Sequence, residues 1–230
     1  YGCTSLENLV LPDSVTNIDA YAFRKCSSLE DVEFSSELTA IGESAFYGCE
    51  ALTSITVPEK VTSINAYAFK SCTGVKEVTL PDSLETIGES AFYGCTGMTE
   101  LVIPCHVQTI EAYAFARCTA LTSFVFTGDA PGIGDNAFSK VAAEVYYPSG
   151  NDTWTEDVMQ NYGGTLTWLT DEIVSDDQVS ESEEEIVVPE TETIDESTVE
   201  TETEETEKDP EMNREEEIDT EVKETESVEE

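Results

Sequence analysis

A period of 23 residues runs through the first two thirds of this chain, and it constrains the fold more than any other feature. Ile18, Ile41, Ile64, Ile87, Ile110 and Ile133 fall at that step, as do Phe23, Phe46, Phe69, Phe92, Phe115 and Phe138. Cys3, Cys26, Cys49, Cys72, Cys95 and Cys118 keep it too, until Val141 takes the place. Leu6, Leu29, Leu52, Val75, Met98 and Leu121 follow each cysteine by three residues, and paired apolar positions such as Ile55/Val57 come next. No unit of this length can bury its apolar side alone. Stacked units can, because each column becomes a continuous ladder, so the period points to a solenoid.

Each unit has a readable local structure. Ser54-Ile55-Thr56-Val57 alternates polar and apolar residues and stops at Pro58, the pattern of a short strand. Val61 to Ile64 is a second extended stretch, turning at Asn65 or, in sister units, at Gly42, Gly88 and Gly134. Segments such as Glu89 to Cys95 are expected to form a helical turn or two, too short to stand alone. Asp19-Ala20-Tyr21, Asn65-Ala66-Tyr67 and Glu111-Ala112-Tyr113 alternate with Gly42-Glu43-Ser44 and Gly88-Glu89-Ser90, so the true repeat is a 46-residue pair. The tyrosine rows this creates either shield the turn edge of neighbouring units or serve as partner contacts. The last unit departs from the pattern, since Val145-Tyr146-Tyr147-Pro148 arrives two residues early. A turn cluster, a short helix over 153–162 and a strand at 165–168 are expected to close the stack, with Trp154 and Trp168 as plugs.

The unit in residues 41–63, Ile-Gly-x-x-Ala-Phe-x-x-Cys-x-x-Leu-x-x-Ile-x-Val-Pro-x-x-Val-x-x, resembles the BspA-type (treponemal) leucine-rich repeat. The resemblance covers residues 1–148. Ser35 and Thr127 stand where proline is usual, and Val141 where cysteine is usual. It implies a curved solenoid of strands and short helices, usually in secreted or surface-attached proteins, and brings no catalytic residues. Similar repeats occur in bacteria and in parasitic protists. The fold class expected is therefore an α/β solenoid, a leucine-rich repeat stack of 23-residue units with short strands plus short helical turns. Three segments follow: a solenoid over 1–148, a capping segment over 149–170 and an acidic tail over 171–230. Because Tyr1-Gly2-Cys3 repeats Tyr47-Gly48-Cys49, the solenoid is expected to be truncated at its N-terminal end.

Composition separates the tail from the rest. Residues 171–230 hold 28 acidic and 3 basic side chains, with no aromatic residue and no cysteine. Such a segment buries too little to offset its ordering entropy, so it is expected to be disordered, as a linker or stalk or as a free solubilising tail. Residues 1–170 hold 22 acidic and 7 basic side chains. Both parts repel phosphates, which argues against nucleic-acid partners. No apolar run reaches the ~18 residues of a membrane span, so no membrane insertion is expected.

Little in the chain points to chemistry. The cysteines of the repeated column are expected to be buried free thiols, packed as small apolar residues, although disulfides between neighbouring rungs are sterically conceivable. There is no Cys-x-x-Cys pair and no histidine cluster, so no metal or cofactor is expected. Cys105 and His106, the single histidine, share an exposed turn without a partner base or nucleophile. Asn151-Asp152-Thr153 matches a glycosylation acceptor and equally makes a turn. No catalytic residue is assigned and the chain is read as no enzyme.

The concave sheet is the better place for a ligand. Its outward columns are Asn8, Asp31, Ser54, Glu77, Glu100 and Ser123, beside Val10, Glu33, Thr56, Thr79, Val102 and Val125. From these, Asp31, Glu33, Thr56, Glu77, Thr79, Glu100 and Val102 form the candidate binding face, which equally suits a sheet that only faces water. A non-catalytic binding or adhesion module, monomeric and at the cell surface or outside the cell, is the first reading, with protein or carbohydrate as ligand. The alternative is a structural spacer, or an accessory repeat region of a larger protein such as an enzyme.

Overall fold

The computed structural model describes residues 2–170 of the 230-residue chain. The expected disordered tail, 171–230, lies outside the described residues. Each of the first six units lays down a longer strand and then a two-residue strand. The first pairs are β1 (Asn8–Val10) with β2 (Asn17–Ile18), β3 (Asp31–Glu33) with β4 (Ala40–Ile41), and β5 (Ser54–Thr56) with β6 (Ser63–Ile64). Next come β7 (Glu77–Thr79) with β8 (Thr86–Ile87), β9 (Glu100–Ile103) with β10 (Thr109–Ile110), and β11 (Ser123–Phe126) with β12 (Gly132–Ile133). Two longer strands, β13 (Ala142–Tyr147) and β14 (Thr165–Thr170), finish the described chain.

All pairings are parallel, and equivalent residues of successive units sit side by side: Ile18 beside Ile41, Ile41 beside Ile64, Ile64 beside Ile87. The short strands make one continuous six-stranded sheet, β2-β4-β6-β8-β10-β12. The longer strands make three pieces, β1-β3, β5-β7 and β9-β11-β13-β14. The period thus becomes a β-solenoid of about seven turns.

The ladders predicted by the columns form the core. Phe23, Phe46, Phe69, Phe92, Phe115 and Phe138 stack with successive ring centroids 5.3, 5.4, 5.5, 5.6 and 5.7 Å apart and nearly parallel planes. Ile41, Ile64, Ile87 and Ile110 are fully buried beside them. Cys26, Cys49, Cys72, Cys95 and Cys118 are buried and free, whereas Cys3 is exposed. Each of the last four donates its thiol proton to the phenylalanine carbonyl 26 residues back, as in Cys72 Sγ to Phe46 O at 3.2 Å and Cys118 Sγ to Phe92 O at 3.1 Å. The column is therefore hydrogen-bonded as well as apolar, and this favours cysteine over alanine there.

The helical turns expected after each short strand are absent: among the described residues there is no helix. The chain enters the left-handed region twice per unit, at Tyr21 and Lys25, Ser44 and Gly48, Tyr67 and Ser71, Ser90 and Gly94, Tyr113 and Arg117, Asn136 and Lys140. A right-handed helix cannot continue through such residues. Alternate N–H groups then point at the next unit: Tyr21, Phe23 and Lys25 donate to Glu43, Ala45 and Tyr47 carbonyls at 2.9, 2.8 and 2.6 Å. Those between close single turns, as in Arg24 N to Tyr21 O at 3.2 Å. The expected helix over 153–162 is likewise a run of turns, with one helix-like bond, Met159 N to Thr155 O at 3.0 Å. The α/β description is corrected accordingly to an all-strand stack.

At the C-terminal end β14 lies against β13 over six residues, from Ala142 beside Thr165 to Tyr147 beside Thr170. Trp154 is buried, with its ring centroid 4.6 Å from Phe126 and 5.7 Å from Trp168. Its indole N–H donates to Gly128 O at 3.0 Å.

Candidate binding face

Along each longer strand alternate side chains point inward, and the remaining ones line the solvent face. Asp31, Glu33, Thr56, Glu77, Thr79, Glu100 and Val102 are all exposed on that face, while Ile55 and Leu101 between them are buried. All seven residues of the expected face are exposed, spread over three pieces of sheet. They are grouped unevenly. Asp31, Glu33 and Thr56 line a groove of about 410 Å³ with Val32, Phe34 and Pro58, at the break between β3 and β5. Thr56 sits directly beside Thr79, and Ser54 beside Glu77. Glu100 and Val102 belong to the four-stranded piece, beside Ser123 and Val125.

The structure extends this face with residues the column reading did not include. Glu144 lies beside Ser123 and Tyr146 beside Val125, followed by Thr167 and Leu169 on β14. The step from Val125 to Tyr146 is 21 residues, so a search at 23 passes over it. The early arrival of Val145-Tyr146-Tyr147 was the available signal. Tyr146 donates its phenol proton to Glu144 Oε2 at 2.7 Å, and that bond raises the phenol pKa.

The opposite edge is self-engaged. Arg24 and Lys70 are almost fully buried. The Arg24 guanidinium carbon lies 4.7 Å from the Tyr47 ring centroid and 5.7 Å from that of Tyr21. Lys70 Nζ lies 4.5 Å from Tyr93 and 5.3 Å from Tyr67. Tyr21 and Tyr67 donate to Glu43 and Glu89 carboxylates at 3.1 and 2.9 Å. The tyrosine rows therefore cover buried cations, which supports the shielding role. These two cations were legible only as an alternation of Tyr47 and Tyr93 with Arg24 and Lys70 in one column.

Four of the buried thiols, Cys26, Cys49, Cys72 and Cys95, are poor nucleophiles. Burial pushes Cys49 up to about 12, with the neighbouring Cys26 adding to it. Burial also raises Cys26 and Cys72, and a hydrogen bond with Cys118, then burial, raises Cys95. Thiols held above the physiological range stay protonated. Cys105 is exposed, with Sγ 3.5 Å from His106 Nδ1, which also lies 2.9 Å from Asp82 O. Among the described residues no three His, Cys, Asp or Glu side chains converge to hold a metal ion. No described helix is long and apolar enough to cross a membrane. Asn151 is engaged within the fold, its amide donating to Asp129 Oδ1 at 3.0 Å and its carbonyl oxygen accepting from Thr153.

The family model for the BspA type leucine rich repeat region matches in six copies, over residues 1–122 and 40–162. The chain belongs to this family of leucine-rich repeat proteins, whose repeats generally serve as non-catalytic interaction or scaffold modules. No curated protein matches it. Among solved structures it resembles a leucine-rich repeat protein of T. pallidum, with 31% identity, a TM-score of 0.57, and coverage of 61% of this chain and 65% of that one. A leucine rich cell surface protein of Faecalibacterium prausnitzii A2-165 is 27% identical, with a TM-score of 0.48, over 62% of this chain and 55% of that one. The chain thus spans less than two thirds of the length of either.

Proposed function

We propose that residues 1–170 form a non-catalytic binding module of a bacterial cell-surface or secreted protein, adhesive in role, which engages protein or glycan through the solvent face of the longer strands. One observation carries this reading: Asp31, Glu33, Thr56, Glu77, Thr79, Glu100 and Val102 are all exposed at outward positions of the longer strands, over a buried apolar core. Rigid, regularly spaced, short polar and acidic side chains can meet a partner without first being ordered, so little entropy is lost on binding. The family to which the chain belongs supports the same reading. In it, 149–170 caps the stack and the module works as a monomer.

The test is a panel of extracellular-matrix proteins and glycans probed with the 230-residue chain and with the triple variant Glu77→Ala, Thr79→Ala, Glu100→Ala. The variant is expected to bind about tenfold more weakly, the scale at which interface hot spots register, with its melting temperature unchanged. Equal binding by both proteins removes the face from the account. No binding by either one leaves a spacer, a structural role, as the reading.

A further inference from the structure

The face is not uniform, and its C-terminal end has the character of a contact patch. In the four-stranded piece one outward column runs Val102, Val125, Tyr146, Leu169, each directly beside the next. Outward positions of a sheet with one packed face are ordinarily polar, yet here four in a row are apolar or aromatic. Val102 is 52% exposed, and Val125, Tyr146 and Leu169 are half-buried. The neighbouring column runs Glu100, Ser123, Glu144, Thr167. Tyr146 is tied to Glu144 by the 2.7 Å hydrogen bond, which ties its phenol group to the acidic column and makes it an ordered anchor. Adjacent parallel strands lie ~4.8 Å apart, so the strip from Val102 to Leu169 is roughly 14 Å long.

Charge selects what can cover it. The two outward columns contain Asp31, Glu33, Glu77, Glu100 and Glu144 and neither lysine nor arginine. A second copy presenting the same face would bring Glu100 and Glu144 against themselves, and a polyanion would be repelled. A cationic chain gains from both carboxylates and lays its own apolar side chains on the strip.

We propose that this strip is the docking site for an extended, lysine- or arginine-rich polypeptide segment with aliphatic anchors. Four or five residues span it at ~3.3 Å each. Aliphatic side chains cover Val102, Val125 and Leu169, a cation pairs with Glu100 or Glu144, and the Tyr146 ring offers a second cation contact. The inference rests on the binding-module reading and narrows it to one partner class and one end of the face.

The probe is an end-blocked ten-residue peptide of alternating lysine and leucine with a central benzoylphenylalanine, and the matching glutamate–leucine peptide is the control. After irradiation with the full 230-residue chain, cross-links are expected within 100–103, 123–126, 142–147 and 165–170, and not with the control. Val102→Ser with Tyr146→Ser is expected to weaken binding about tenfold at unchanged melting temperature, while Tyr146→Phe retains most of it. Cross-links confined to the acidic residues 171–230, or equal affinity of the double variant, overturn the proposal. So does a neutral oligosaccharide whose binding the double variant loses while peptide binding persists. A matrix protein that still binds the double variant but not the Glu77, Thr79, Glu100 variant overturns this strip alone and leaves the module intact.

Discussion

Asparagine introduced at Gly88 should destabilise far more than asparagine introduced at Gly94, and the contrast probes the two-unit repeat directly. Gly88 packs against the preceding turn so closely that an added Cβ would lie 2.8 Å from Ala66 N and from Asn65 C, and 2.9 Å from Ile64 O. Those are backbone atoms, so two turns must separate to admit it. Overpacking of this kind costs about 1–3 kcal/mol, and three simultaneous backbone contacts place Gly88→Asn near the top of that range. Gly94 has φ +72° but open space, its Cβ meeting nothing closer than Ser71 Oγ at 3.9 Å. Asparagine tolerates the left-handed region well, so Gly94→Asn should cost under about 1 kcal/mol. At 2–4 °C per kcal/mol for a chain of this size, Gly88→Asn should lower the thermal midpoint by about 5–10 °C and Gly94→Asn by about 2 °C. Circular dichroism melts with urea midpoints measure both. Asn65 occupies the column of Gly88 one unit earlier, so a strict 23-residue repeat predicts easy acceptance at 88. Equal effects of the two variants would refute the 46-residue account.

Other outcomes follow from the buried groups. Native protein at pH 8 should label with a thiol reagent at Cys3 and Cys105 only, and at all seven cysteines after unfolding; labelling of Cys72 or Cys95 in the native state would contradict the hydrogen-bonded column. Folded Cys49 titrates near 12 against an ordinary value of 9.0, so above pH 9 the unfolded chain sheds protons the folded one keeps. Stability is then fully present below pH 9 and falls as pH rises toward 12, by up to about 1.4 kcal/mol per pH unit for each such thiol; urea midpoints at pH 8 and 10 check the sign. Lys70→Ala removes a cation held between Tyr67 and Tyr93 and should cost about 2 kcal/mol, whereas Lys76→Ala, exposed at the margin of the face, should cost under about 0.5 kcal/mol in the same melt.

Much of this was legible in the sequence because parallel stacking turns a period into contacts. The Phe, Ile and Cys columns needed only the 23-residue step to be placed inside, and the alternation Ser54-Ile55-Thr56 was enough to place the solvent face. The helical turns were misjudged because the residues that break them, Tyr21, Lys25, Tyr67 and Arg117, are not types that announce a positive φ. Gly48 and Gly94 in the sister units were the hint. Arg24 and Lys70 were passed over since charge ordinarily means solvent, and the tyrosines above and below help to make burial tolerable. Tyr146 and Leu169 escaped because two residues are missing between β11 and β13, which moves the register of every later position.

Under the proposed function, binding belongs to the longer-strand face and not to the turn edge or to net charge. The most direct measurement compares one bound matrix protein across three chains: the native sequence, Glu77→Lys with Glu100→Lys, and Glu50→Lys with Glu85→Lys. Both variants change the net charge equally, and all four positions are exposed. The first pair is expected to raise Kd at least about tenfold, and the second to leave it within about twofold. Equal losses, or a loss confined to Glu50 and Glu85, would contradict this reading.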